Sequence, residues 1–212
     1  MNDIDVNALT SFYSLAMGDV MQPIDHSGDA KMLIDFYSGG KDTHGRTLEF
    51  ILSQNNEWWE TTHNFIQFLF PLPEASFAVP NSPIADASVY EFLANGAAVK
   101  ATGAIDNVFD RLISFLGLKP FIEFHNEGWK SDIAPSWWKQ DNHNHLRVAR
   151  ALRCLDLIHS TKTAYLACVL RLALKSLAIK FPDGCSNRNL QFWRVLILGR
   201  EDVMNKSRSV NK

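Results

Sequence analysis

Apolar residues recur along most of this chain at intervals of three and four, the period of an amphipathic helix, and no run alternates for long enough to read as a strand. The spacing predicts helices over residues 6–17, 31–37, 47–53, 56–70, 97–116, 142–159, 162–180 and 187–198. Asp86 or Ser88 can cap one more, running to Leu93. Pro71 and Pro73 stop the helix over 56–70, and Gly117 stops the one over 97–116. Residues 121–138 read as irregular and aromatic, and the stretch to Pro83 as a proline-rich loop. The expected fold is all-α, a single-domain orthogonal or irregular bundle of about 7–9 helices around a central buried helix.

That central helix is the segment over 56–70. Trp58, Trp59, Phe65, Ile66, Phe68, Leu69 and Phe70 spread over most of its circumference, as in helices buried on nearly all sides. At ~100° per residue, Glu60, His63 and Gln67 share a polar strip roughly 60° wide. Buried polar groups need partners, because each one left unpaired costs about 1–3 kcal/mol. The helix over 142–159 offers them, with His143, Arg147 and Arg150 on one face and Asn144 beside it. Asp141 or Asn142 can cap its start. A helix N-terminus with two arginines favours a carboxylate or phosphate, supplied by Glu60 or by a ligand.

Composition narrows the function classes. The 212 residues are 46% hydrophobic and 21% charged with a net charge of −2, so no broad basic surface for nucleic acid is expected. The N-terminus lacks the basic start and apolar run of a signal peptide, and the most apolar stretch, 164–179, is interrupted by Arg171 and Lys175. A soluble, cytoplasmic protein without a transmembrane segment is expected. Cys154, Cys168 and Cys185 form no C-x-x-C and read as reduced thiols.

Candidate chemistry is sparse. The glycine-containing loop over 38–45 lacks phosphate-loop spacing and reads as a plain turn. The seven histidines show no H-x-x-x-H spacing, and His143 and His145 would point to opposite sides of a helix. Neither a transition metal nor a haem is therefore expected. No nucleophile elbow is present. His63 and His143 with Glu60 have the ingredients for acid–base chemistry, although nothing fixes a reaction.

Two long motifs carry a family resemblance. His63-Asn64-Phe65-Ile66-Gln67-Phe68-Leu69-Phe70-Pro71 resembles the signature of the opioid growth factor receptor conserved domain, and Asn142-His143-Asn144-His145-Leu146-Arg147-Val148-Ala149-Arg150 resembles its second block. Phe36-Tyr37, Asp42, Gly45-Arg46-Thr47-Leu48, Ile51-Leu52, Asn81-Ser82-Pro83 and Phe192-Trp193 agree as well. Phe68 stands where the family usually has Trp, His145 where it has an aromatic ring, and Ala149 where it has Thr or Ser. The resemblance implies an N-terminal extension over 1–32, a receptor-like domain over 33–200 and a polar tail over 201–212, the last expected to be disordered. The animal namesake is described as a nuclear-associated receptor for an enkephalin peptide, which extends to this chain by analogy alone.

Three readings of Glu60, His63, Gln67, His143, Asn144, Arg147 and Arg150 stay open at this point. They are an inter-helix hydrogen-bond network, a binding site for a small anionic ligand or peptide lined by Trp58, Trp59, Trp137 or Trp138, and a histidine acid–base pair acting on a small anionic substrate. The helix over 6–17 is a candidate for self-association into a homo-oligomer.

Overall fold

Helices carry the architecture of the described residues, with a long irregular segment over 70–86 between two of them. The computed structural model describes residues 26–76, 78–95, 99–122 and 132–184. Among these residues there are nine α-helices and no β-strand: α1 (Asp29–Tyr37), α2 (Leu48–Ser53), α3 (Asn56–Thr61), α4 (Ile66–Leu69), α5 (Ala87–Asn95), α6 (Val99–Phe115), α7 (Lys119–Ile122), α8 (Asn144–Leu157) and α9 (Thr161–Lys180). A 3-10 turn, Pro182–Gly184, follows α9. A single antiparallel bridge between Lys41 and Thr47 closes the loop between α1 and α2. The fold is all-α, as the hydrophobic period predicts. The helices expected over 6–17 and 187–198 lie outside the described residues, as do the N-terminal extension up to residue 25 and the tail.

Side-chain caps set many of the boundaries. Thr47 Oγ1 accepts from Phe50 N, Asn55 Oδ1 from Trp58 N, and Ser160 Oγ from Thr163 N. The expected cap at Asp86 is present, its Oδ1 accepting from both Ser88 N and Val89 N. Gly117 ends α6 at φ 63°, a left-handed conformation open to glycine. The Leu118 N–H then donates to the Ile113 carbonyl oxygen, closing the helix C-terminus.

The expected continuous helix over 56–70 is a misreading. The chain forms α3 and α4 instead, separated by a non-helical link over 62–65. Thr62 is extended at φ −94°, ψ 129°. Helical periodicity does not reveal the break, because the link keeps its apolar side inward. Both pieces bury aromatic rings: Trp59, Phe65, Phe68 and Phe70 are almost fully excluded from solvent. Among the helices α1, α5 and α6 pack together, α2 joins α6, and α9 packs on both α8 and α7.

Cys154 is fully buried, and desolvation pushes its thiol well above the ordinary range. No helix among the described residues is long and apolar enough to cross a membrane.

Candidate functional site

The link over 62–65 is where the two signature motifs meet. Arg147, on α8, reaches it from one side with both terminal nitrogens fully used. Its Nη1 donates to the Trp59 carbonyl oxygen at 2.6 Å and to Asn144 Oδ1 at 3.1 Å. Its Nη2 donates to the Thr62 carbonyl oxygen at 2.8 Å and to His63 Nδ1 at 3.1 Å. These carbonyls belong to the C-terminus of α3, which has no further turn to accept from. A cation at that end also complements the helix dipole. Burial lowers the Arg147 pKa to about 10, so the guanidinium stays charged at neutral pH.

The exchange runs both ways. Glu60, near the end of α3, turns to the start of α8, where its Oε2 accepts from Asn144 Nδ2 at 2.9 Å. Its Oε1 lies 3.4 Å from His143 Nε2. The rings of His63 and His143 meet edge to face with centroids 5.0 Å apart. Because an arginine can only donate, His63 Nδ1 must be the acceptor, and the neutral ring carries its proton on Nε2. Desolvation, with the Arg147 charge second, holds the His143 pKa below its ordinary value.

The expected polar cluster is thus assembled in part. Glu60, His63, His143, Asn144 and Arg147 come together, whereas Gln67 and Arg150 go elsewhere. Once the helix breaks at 62–65, Gln67 no longer lies on the Glu60–His63 strip. It is buried with Nε2 donating to Ser76 Oγ at 3.2 Å. Arg150 Nη1 donates to the Phe70 carbonyl oxygen at 2.9 Å, at the end of α4. That end is held from two more directions, by Tyr37 Oη on the Leu69 carbonyl at 2.6 Å and Tyr90 Oη on the Pro71 carbonyl at 3.2 Å. The arginines expected to receive an anion therefore bind backbone. Trp58 and Trp59 flank Phe65, while Trp137 and Trp138 pack around His145. The His145 ring fills the aromatic place its position occupies in the family pattern, with Nε2 bonded to the Lys139 carbonyl at 2.9 Å.

On its opposite side the link faces a groove that sequence reasoning missed. Asn64 Oδ1 accepts from Arg46 Nη1 at 2.9 Å, and the Asn64 carbonyl from Arg46 Nη2 at 3.1 Å. Arg46 is anchored by Asp42, whose Oδ2 accepts from Nε at 2.7 Å and whose Oδ1 accepts from the backbone N–H groups of His44 and Arg46. The guanidinium also stands over the Trp58 ring, 5.7 Å from its centroid. Asn64 Nδ2 donates to His44 Nε2 at 2.9 Å. Above this framework Thr43, His44, Asn64, Asn81 and Ser82 surround a cavity of about 340 Å³ with Phe68 and Val79 as its apolar part. The missed signal was in the family-like fragments: Asp42 with Gly45-Arg46, Asn64, and Asn81-Ser82 all converge here.

Among the described residues no group of three or more His, Cys, Asp or Glu side chains is placed to hold a metal ion. Searches of curated proteins and of solved structures return no match. A family model described as the opioid growth factor receptor (OGFr) conserved region matches residues 32–202, most of the chain and both halves of the clasp around the link. The chain belongs to the opioid growth factor receptor conserved-region family.

Proposed function

We propose that this chain is a non-catalytic binding module for a small ligand or a short peptide, and that the ligand sits in the groove beside Asn64. One observation carries the reading. Five polar residues, Thr43, His44, Asn64, Asn81 and Ser82, line one cavity together with Phe68 and Val79, the mix of polar and apolar walls typical of a recognition site. The charges near the groove are already committed, since Asp42 and Arg46 pair with each other and with backbone. A ligand without net charge suits such walls better than the anion expected from the sequence. Receptor activity toward an opioid growth factor enters as family analogy alone. The Arg147 network supports this site by fixing the link from behind.

The test is titration of the isotope-labelled full chain with an enkephalin pentapeptide and a panel of uncharged dipeptides, followed by amide NMR. Binding at the groove shifts the resonances of Thr43, His44, Asn64 and Asn81, and Asn81→Ala, which removes a polar side chain from the cavity wall, weakens it at least tenfold. Shifts confined to other surfaces, or none with any probe, would sink the reading.

A second reading rests on the His63–His143 pair. One histidine is exposed and the other is held neutral beside Glu60, which is the equipment of an acid–base enzyme acting on a small substrate. It predicts a turnover that a folded His143→Asn variant loses.

A further inference from the structure

His44 stands in the wall of the groove with both ring nitrogens in contact. Its Nε2 lies 2.9 Å from Asn64 Nδ2, and its Nδ1 lies 3.2 Å from Thr43 Oγ1 and 3.4 Å from Arg46 Nη2. The hydrogen-bond roles follow from Arg46, which can only donate. Its Nη1 donates to Asn64 Oδ1, which fixes the orientation of that amide and turns the NH2 group toward the histidine. His44 Nε2 must then be the acceptor. The ring is neutral in this position, with its one proton on Nδ1 and directed to Thr43 Oγ1. The longer approach of Arg46 Nη2 is therefore a contact between two donors and not a hydrogen bond.

We propose that a proton on His44 releases its ring from the wall of the groove, which is complete only while His44 is neutral. A proton on Nε2 faces the Asn64 NH2 group, donor against donor at 2.9 Å. Asn64 cannot answer by turning its oxygen round, because Arg46 holds that oxygen and is itself held by Asp42 and the Asn64 carbonyl. The imidazolium also brings its charge to within 3.4 Å of the Arg46 guanidinium. The charged groups against the ring are Arg46 and Asp42, and the other residues lining the cavity, Phe68, Val79, Asn81 and Ser82 among them, offer no compensating charge. Asp42 is already engaged, its oxygens accepting from Arg46 Nε and from the backbone N–H groups of His44 and Arg46. His44 is exposed, so the charged ring turns out to water and one side of the cavity goes with it. Histidine exchanges its proton between about pH 5 and pH 8, so the change falls in a mild range. Release of the ring stands on the hydrogen bonds alone, whereas its effect on binding rests on the groove being the ligand site.

Two-bond proton–nitrogen correlation spectra of the full chain, with no ligand present, read the tautomer and charge of each histidine. At pH 8 the His44 proton is expected on Nδ1. As pH falls to 5.5, the Asn64 side-chain amide should shift in step with protonation of His44. That step should vanish in His44→Gln, whose amide oxygen accepts from Asn64 without titrating. N-acetyl-phenylalanylglycinamide, which has no titrating group, then probes the groove, and it should bind about tenfold more weakly at pH 5.5 than at pH 7.5. A His44 proton on Nε2 at pH 8 overturns the proposal, as does an Asn64 step that survives in His44→Gln and follows the neighbouring His63 instead. Equal binding of the dipeptide at both pH values overturns it too. Binding at neither pH, with the Asn64 step in place, removes the groove as the ligand site and upholds release of the ring.

Discussion

Arg46 and Arg147 hold the two ends of one short link, Arg46 donating to the Asn64 carbonyl at 3.1 Å and Arg147 to the Thr62 carbonyl at 2.8 Å. They come from opposite sides of the chain's signature motif. Between them, His63 turns toward α8 and Asn64 toward the groove, so adjacent residues serve different surfaces. The link gives up helical hydrogen bonds and recovers them from guanidinium groups.

Loss of Arg147 should therefore cost far more than loss of His63. Arg147→Met strands the Trp59 and Thr62 carbonyls, at roughly 1–3 kcal/mol each. The melting temperature is expected to fall by about 4–24 °C for a chain of this size. Arg147→Lys should recover little, because one ammonium cannot span both carbonyls. His63 is exposed, and His63→Ala should cost under ~1 kcal/mol. Thermal melts by circular dichroism check the order, and a near-wild-type Arg147→Met would remove the clasp from consideration.

Tyr37 offers a second measure of how firmly α4 is held. Its buried hydroxyl donates to the Leu69 carbonyl, and desolvation keeps the phenol well above its ordinary pKa. Tyr37→Phe leaves that acceptor unmet and should cost about 1–2 kcal/mol in urea unfolding, unchanged between pH 6 and pH 9. A neutral substitution would mean that the carbonyl finds water instead.

Acid should destabilise the fold through two histidines. Burial lowers the pKa of both His143 and His145 below the ordinary value of 6.5, so the unfolded chain takes up protons that the folded chain refuses. Their contribution is fully present above pH 6.5 and is lost progressively as pH falls below it, toward the lowered folded values. The melting temperature should drop over that window, and His145→Phe should flatten the drop whatever its effect at pH 8. An identical acid limb in the variant would exclude His145 as a source.

Gly184 faces the indole of Trp138 so closely that a β-carbon there would overlap the ring. That ring cannot easily move, since its Nε1 donates to the Phe181 carbonyl at 2.9 Å. Gly184→Ala should cost about 1–3 kcal/mol by overpacking. Rescue by Trp138→Phe, measured in a double-mutant cycle, would place the clash at this contact.

Fold class was legible in the sequence because it follows from period, and period survives local breaks. The interruption at Thr62 was not, because Phe65 and Ile66 stay apolar and inward across it and mimic an unbroken helix. That one misreading moved Gln67 into the wrong cluster. Glu60, His63, His143, Asn144 and Arg147 were legible as partners, since Glu60 precedes the break, His63 stands only at its second residue, and the others lie on or beside the unbroken α8. The groove was hidden for another reason. Its polar residues come from three loops, and loops have no period to read; the fragments around Asp42, Asn64 and Asn81 agreed with the family one by one and acquired a common place only in three dimensions.

The three carbonyls at the end of α4 have a consequence for synthesis. Tyr37 precedes its acceptor in the chain, Tyr90 follows its own by 19 positions, and Arg150 follows Phe70 by 80. A polypeptide emerging from the ribosome makes the first half early, and the aromatic signature must then wait, unfinished, until α8 is extruded. Any product stopped before Asn144 carries Phe65, Phe68 and Phe70 with neither Arg147 nor Arg150 to close over them. Such a fragment is expected to be captured by chaperones or to aggregate, so the first half of this domain is not expected to fold by itself.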